Sequence, residues 1–386
     1  MKISSAAGRL FKGILITGAV LSLFAGCGAN RKKAVVEEAV WVDTGRHVSI
    51  VFAGDVMLHM SQITAAKRDS TYDFTETFRY IKPFFDSADL VIVNLETTVS
   101  ADGHYSGYPI FSSPREIAAA LKGSGVDVVM LANNHICDKG ARGIAATVEA
   151  VTDAGLEYTG AFADSAQYHA RNPLMLEIKG VRLAILNYTY GTNGLPVPKG
   201  MAVNLIDTAA IAADLRKIDR NATDHIVVYL HWGVEYAVRP EKEQRELAAW
   251  CREQGADIII GNHPHVLQPM QAFFGDSGGL RGLTVYSLGN LVSNQQWRYA
   301  DGGMAVRLDI TRYDSLPTVM EAGYMLAWVH RHHVGNRNYY HILPSFVADT
   351  MLKEGGNSHA AYDLFISDSR KLMADSSGFR EIRALE

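Results

Sequence analysis

Several things are scarce in this sequence, and each shortage closes off a class of protein. Only 3 of its 386 residues are cysteine, which argues against a thiolate zinc site. Apart from Cys27, taken up below, Cys137 and Cys251 form either one disulfide or two lone buried thiols. Basic charge is not in excess. The formal net charge is -4, so there is no electrostatic footprint for nucleic acid. No Pro- or Ser-rich tract marks a hinge, and no internal repeat is visible. What the chain does have is histidine, 14 in all, and a composition 48% hydrophobic and 20% charged that supports a large globular core.

The N-terminus reads as a targeting segment. Lys2, Arg9 and Lys12 precede Gly13 to Ala25, which is uncharged and mostly apolar. That run is too short for a comfortable membrane-spanning helix and ends in small residues. Leu23-Phe24-Ala25-Gly26-Cys27 resembles a bacterial lipobox, with Phe24 where Leu is usual. The resemblance implies cleavage before Cys27 and lipidation of its thiol. The alternative is an uncleaved membrane anchor, and either places the rest of the chain in the cell envelope, outside the cytoplasm. The expected division is a signal peptide at 1–27, a polar tether at 28–46, a folded domain at 47–343 and a helical C-terminal segment at 344–386 packed on it.

Within the domain, apolar strand patterns alternate with helical ones. His47 to Ala53, Asp89 to Asn94, Val126 to Ala132, Arg182 to Asn187, Ile226 to Leu230 and Asp257 to Ile260 read as buried strands. Helical patterns cover Phe74 to Ser87 and Pro114 to Lys122, and others follow Gly140, Asp207 and Glu241. Continuous apolar strands between helices predict a mostly parallel sheet covered on both faces. After about residue 266 the runs look antiparallel, as a second sheet packed on the first would be.

Sites in open α/β sheets form beyond the carboxyl ends of strands. The residues in those positions are Gly54-Asp55, Asn94-Leu95-Glu96, Asn133-Asn134-His135, His231-Trp232-Gly233 and Gly261-Asn262-His263-Pro264-His265. A lone Asp or His after a strand is usually a cap or a turn residue. Carboxylates, amides and imidazoles gathered at one pole by five strands are not explained by turn chemistry. Carboxylate oxygen with imidazole nitrogen suits a divalent Mn, Fe or Zn ion.

These motifs, together with Tyr286-Ser287-Leu288-Gly289-Asn290, resemble the CapA/PgsA family of capsule-synthesis proteins, within the metallophosphoesterase (calcineurin-like) superfamily. The resemblance spans roughly residues 48 to 295. It implies an α/β layered sandwich of the metallophosphoesterase type, with two central mixed sheets flanked by helices, and a centre for two divalent ions. By position, it implies Asp55 as a terminal carboxylate ligand, Glu96 as the bridging carboxylate and Asn134 as a ligand through its side-chain carbonyl. It assigns His231 and His263 to one metal and His265 to the other, and His135 to the substrate's leaving oxygen as a catalytic acid, with Asp138 to orient it. Two positions depart from the pattern. Met57 stands where the family has a histidine, with His59 two places on, and Glu96 replaces an aspartate.

The family is associated with poly-γ-glutamate capsule biosynthesis. The resemblance therefore implies an anionic polymer or a phosphorylated small molecule as substrate and a place in an envelope biosynthesis complex, and the lipobox-like segment at Cys27 adds a lipid-anchored contact with the membrane. Two functions follow from it: a metal-dependent hydrolase of phosphoesterase type, or a non-catalytic polymer- or partner-binding component of an export machine. Other polar residues have blander readings. Asn94 and Asn290 read as turn caps, and Gly289 as a close backbone approach. Trp232 and Tyr236 line the pocket or cover the sheet edge. His330, His332 and His333 read as a solvated turn, and Tyr339-Tyr340 as core of a late strand.

Overall fold

A computed structural model describes residues 45–276, 278–314, 318–352, 357–376 and 378–385. Cys27, the signal segment and nearly all of the tether lie outside them. The first described strand, β1 (Arg46–Val56), is buried from Val48 onward. It is followed by α1 (Met60–Ala66), the short strands β2 (Lys67–Arg68) and β3 (Thr71–Tyr72), and the helices α2 (Thr75–Phe78) and α3 (Lys82–Asp86). Where pattern alone predicts one helix over Phe74 to Ser87, the structure has two. Pro83 has no N–H to donate to the carbonyl of Arg79, so the helix stops and restarts with Pro83 in its first turn.

Next come β4 (Leu90–Leu95), α4 (Glu116–Gly123), β5 (Val128–Met130), α5 (Gly140–Asp153), β6 (Glu157–Thr159), β7 (Ala161–Phe162) and α6 (Ser165–Arg171). The second half continues with β8 (Leu174–Ile178), β9 (Val181–Thr189), β10 (Ala202–Val203), α7 (Thr208–Leu215), β11 (His225–His231), α8 (Lys242–Glu253) and β12 (Ile258–Asn262). The starts of α7 and α8 are set by caps. The Asp207 carboxylate accepts from Ala210 N at 2.8 Å, and Glu241 with Gln244 forms a capping box.

The late strands are β13 (Leu267–Phe274), β14 (Leu280–Leu288), β15 (Asn290–Val292), β16 (Gly302–Arg312), β17 (Val319–Val334) and β18 (Arg337–Pro344), before α9 (Ser345–Met351), α10 (Asn357–Met373) and β19 (Arg380–Glu381). They do not make a sheet of their own. β14 pairs parallel with β12, and β13 antiparallel with β14, completing a second sheet ordered β13-β14-β12-β11-β9-β8. β16 pairs antiparallel with β1 and carries β17 and β18 with it, giving a first sheet ordered β18-β17-β16-β1-β4-β5-β6. An apolar run shows that a strand is buried, not which neighbour it will pair with.

Both sheets are therefore mixed, and they stack face to face. Val48, Ile50 and Phe52 of β1 meet Val227 and Tyr229 of β11 in the layer between the sheets. Val51 and Ala53 point the other way, into a core shared with Phe84, Leu121 and Ile144 from α3 to α5. On the far side of the second sheet, Val228 and Leu230 pack with Ile211 of α7 and Ala248 of α8. Each fully buried Phe or Leu in these layers contributes about 2–3 kcal/mol. Tyr362 and Phe365 bring α10 into the inter-sheet core. The two-sheet sandwich flanked by helices is the architecture that the motif resemblance implies. Cys137 and Cys251 are both free and buried. Among the described residues no helix is long and apolar enough to cross a membrane.

A candidate metal centre between the two sheets

The motifs expected on one sheet edge come from two. β1, β4 and the loop after β5 deliver Asp55, Glu96, Asn134 and His135. β11 and the loop after β12 deliver His231, His263 and His265. All seven are buried. Stacking the sheets brings their carboxyl ends to a common pole, and two cross-sheet contacts set the spacing there. Tyr229 Oη donates to Ala53 O at 3.1 Å, and Ala132 N donates to Asn187 Oδ1 at 2.7 Å.

Close backbone approach puts Asp55 in place. A Cβ added at Gly54 would lie 2.0 Å from Gly289 O, and Asp55 N donates to that same oxygen at 3.0 Å. Gly289 itself has φ 69°, a conformation suited to glycine. Its expected role as a close approach is what the structure has. On the opposite side, His263 and His265 sit at φ 99° and 58°. Two non-glycine residues in the left-handed region, so close together, store strain at the pole.

The Asp55 carboxylate accepts from Asn94 Nδ2 at 2.7 Å, from Asn262 Nδ2 and, at 3.1 Å, from His265 Nδ1. Burial alone would raise its pKa, but the hydrogen bond and charge of His265, with help from His231 and Asn94, hold it at about 2. Glu96 is less well supported: Asn94 donates to its Oε2 at 3.3 Å, and the charges of His265 and His135 favour its ionised form, but they are outweighed. Burial first, and then the charge of Asp55, raise its pKa well above the ordinary value. Its Oε1 lies 3.4 Å from His231 Nε2 and 3.8 Å from His265 Nε2, yet has no hydrogen-bond partner.

Burial, opposed by Asp55, lowers the His231 pKa to about 3. Burial together with the charges of His231 and His265 lowers that of His263 to about 2. Both rings are therefore neutral at pH 7. Burial also disfavours the charged form of His265, but Glu96 and Asp55 outweigh it and raise its pKa to about 9.

One ligand atom each from Glu96, His263 and His265 lie within 4.8 Å of one another, and so do those of Asp55, Glu96 and His231. Glu96 belongs to both groups, as a bridging carboxylate must. These groups place His263 with His265 and His231 with Asp55, where the resemblance paired His231 with His263. Asn134 Oδ1 lies 2.9 Å from His231 Nε2. A divalent ion fits this donor set. Glu96 Oε1, Asn262 Oδ1 and His263 Nδ1 are buried without partners, and the donors are the oxygen and nitrogen types that Mn, Fe and Zn accept.

His135 stands beside this group. Its Nδ1 lies 2.8 Å from Asp138 Oδ2, which also accepts from Phe111 N at 2.7 Å. His135 and Asp138 lie three residues apart, and the tight turn after Asn133 brings them together. The Phe111 ring meets His135 edge-on at 4.6 Å and His59 at 5.3 Å. His59 does not replace the missing histidine. It caps α1, and its Nδ1 accepts from Asn294 N at 3.2 Å. Met57 is buried where the family's imidazole is expected.

Asn94 is more than a turn cap. Its amide reaches Asp55, Glu96 Oε2 at 3.3 Å and His231 Nδ1 at 3.3 Å, joining ligands from both sheets. The signal was available in its place beside Glu96 at the end of a strand. Asn290 holds its own loop, donating to Gln295 and to Ala300 O at 2.8 Å each. Trp232 is buried, with its indole donating to Tyr286 O, and so covers the sheet. Tyr236 stays exposed at the rim beside His265 and Trp297, and Tyr190 lies over His263 at 4.5 Å.

Fold and site together define a class: a two-sheet α/β sandwich with a buried carboxylate–imidazole centre at the shared carboxyl pole. The chain belongs to the bacterial capsule synthesis protein family PGA_cap, whose model matches residues 49–295. It is 31% identical over 265 residues to the capsule biosynthesis protein CapA of Bacillus anthracis, covering 65% of this chain and 61% of that one. It is 30% identical over 256 residues to the PGA biosynthesis protein CapA of Bacillus subtilis strain 168, covering 65% and 64%. The chain thus spans somewhat under two thirds of the length of these curated relatives. Among solved structures, the 5'-nucleotidase of Candida albicans SC5314 aligns with a TM-score of 0.43 at 12% identity, over 85% of this chain and 60% of that one.

Proposed function

We propose that this chain is a metal-dependent hydrolase of phosphoesterase type, acting outside the cytoplasm in the synthesis or export of an anionic surface polymer. The observation that carries the reading is Glu96: a fully buried carboxylate, with one oxygen unpartnered, shared by two groups of ligands. Without a cation, two carboxylates and an orphaned oxygen in a dry site are costly. Poly-γ-glutamate is the polymer suggested by kinship with the PGA biosynthesis protein. Lipidation at Cys27 would hold the domain at the membrane, beside an envelope biosynthesis complex.

In this reading Asp55, Glu96, Asn134, His231, His263 and His265 hold two divalent ions. When bound, such ions polarise a phosphoryl oxygen and lower the pKa of water. Asn94 and Asn262 keep the Asp55 oxygens oriented. Asp138 fixes the ring of His135 through Nδ1, which leaves Nε2 to protonate the leaving oxygen. Phe111 limits tilting of that ring. The exposed Tyr190, Tyr236 and Trp297 offer a substrate rim.

A second reading has one specific support. Buried Met57 offers no imidazole where the family pattern has one, so one ion has fewer ligands. A pole that binds polymer or a partner without turnover would tolerate this. Metal content of the purified protein, with phosphomonoester and phosphodiester assays after Mn loading, separates the two. Glu96→Ala and His263→Ala lower metal occupancy, while His135→Ala spares the metal and lowers turnover. Folded protein with no metal and no turnover refutes the hydrolase. Metal without turnover, together with polymer binding, supports the second reading.

A further inference from the structure

The histidines after Trp328 are not in a turn. β17 runs on to Val334, and the chain reverses at Gly335-Asn336. Register sets His330 opposite His341 of β18 and His332 opposite Tyr339. Side chains two apart on a strand share a face, so His330, His332 and His341 lie together on the face that also carries Leu326 and Trp328. One ring nitrogen from each lies within 4.8 Å of the others. The ring centroids are 4.5 Å apart for His330 and His332, and 4.9 Å for His332 and His341.

We propose that His330, His332 and His341 form a second metal site, for zinc or a similar borderline divalent cation, that clamps the β17–β18 edge of the first sheet. Its residues are separate from those at the pole. Several donors there lack partners: His330 Nδ1, His332 Nδ1 and both nitrogens of His341 are buried with no hydrogen bond. Buried polar groups without partners are rare in folded proteins, and a bound cation would satisfy these. Burial lowers the pKa of all three rings, with neighbouring imidazoles adding to it, and so keeps them in the neutral form that binds metal.

The surroundings are those of a built site. Ser358 Oγ of α10 lies 3.3 Å from His330 Nε2, which leaves Nδ1 to face the cluster. Trp328 stacks on His330 at 5.4 Å, Tyr339 on His332 at 5.3 Å, and Tyr80 meets His341 edge-on at 5.0 Å. These rings restrict water. Glu76 Oε2 of α2 lies 3.8 Å from His341 Nε2 and is shared with Arg79 at 3.3 Å. It lies beside the three-imidazole group rather than in it, and three imidazoles with an open fourth position are a set that tetrahedral zinc takes, at about 2.0–2.1 Å per bond. Binding therefore draws the rings slightly inward. β18 is the edge strand of its sheet, and the clamp ties that edge to β17.

The test uses the full-length protein, stripped of metal and titrated with zinc. Wild type is compared with His332→Ala, with a Glu96→Ala/His263→Ala double variant, and with all three changes combined. We expect His332→Ala to bind one tight zinc equivalent fewer than wild type. The double variant keeps that equivalent, and the combined variant loses it. Cobalt in the double-variant background should give tetrahedral d–d bands that disappear with His332→Ala. His332→Cys should restore them with an added thiolate-to-cobalt band. Unchanged zinc stoichiometry in folded His332→Ala, or no tight zinc in the double variant, overturns the proposal. Should His332→Ala fail to fold, His332→Cys decides: the thiolate–cobalt band supports the site, and its absence refutes it.

Discussion

Replacing Glu96 by Gln should make the metal-free protein more stable and the metal-loaded protein less so. Glu96 is fully buried beside Asp55, and its Oε1 has no partner. An unsatisfied buried polar atom costs about 1–3 kcal/mol, more for a charged group. Gln keeps the shape, removes the like charge and retains an oxygen for Asn94 to donate to. For roughly 340 folded residues the unfolding entropy is about 0.7 kcal/mol per kelvin. The relief therefore raises the metal-free melting temperature by about 2–4 °C. Metal reverses the order: a free ion at 100 times its Kd stabilises the wild type by about 2.7 kcal/mol, or about 4 °C, and Gln, a weaker bridging ligand, forfeits most of that. The sign with pH also follows. A carboxyl whose folded pKa is raised binds more protons folded than unfolded, so the metal-free wild type loses stability as pH rises above about 4.5. The advantage of Gln should therefore be larger at pH 8 than at pH 5. Thermal melts with chelator and with Mn, at both pH values, check this. A Gln variant less stable without metal, yet equally responsive to Mn, would refute the reasoning.

Three further changes probe other parts of the molecule. Asp224 accepts from Arg182 and Arg312 at 2.9–3.0 Å; burial raises its pKa, but these partners outweigh it and hold it at about 2. Its stabilisation is present above pH 4 and lost as pH falls toward 2. Asp224→Asn should cost about 1–2 kcal/mol at pH 7 and flatten that acid limb in denaturant titrations. Gly54→Ala places a methyl against Gly289 O and breaks the Asp55 N hydrogen bond. It should destabilise by about 1–3 kcal/mol and lower metal occupancy, read by melting and elemental analysis. Asp138→Asn should leave metal content unchanged and cut turnover by about 10²–10⁴, with His135 no longer oriented; unchanged rates would remove His135 from the chemistry.

The ligands were legible because each stands at the end of an apolar strand, where chain direction alone fixes the pole. β1, β4, β11 and β12 fall within two or three residues of their expected limits. Pairing was not legible. The apolar runs of β14 and β16 look alike, yet one joins the second sheet and the other the first. Local pattern encodes burial, while partner choice depends on contacts distant in sequence. Polar residues that serve other polar residues were also hidden. Asn94 and Asn187 act across the sheets, and their types match ordinary turn or strand chemistry. The histidines after Trp328 misled for a related reason: a His-Arg-His-His run looks solvated unless His341, opposite in register, is known to share its face.

The division of ligands between the sheets has a mechanical consequence. Asp55, Glu96 and Asn134 belong to the first sheet, and His231, His263 and His265 to the second. Glu96 alone belongs to both close groups, and each group draws its imidazoles from the opposite sheet. A cation held by either group must therefore tie the sheets together. The inter-sheet layer and the Asn187 and Tyr229 contacts set the distance over which it does so. A substitution in that layer far from the pole, such as Phe52→Ala, loses about 3–5 kcal/mol of packing. It also changes the spacing of the two half-sites, so metal affinity should fall although no ligand is touched. In Val148→Ala, on the helix-covered outer face, packing energy is lost without a change in that spacing, and metal affinity should hold.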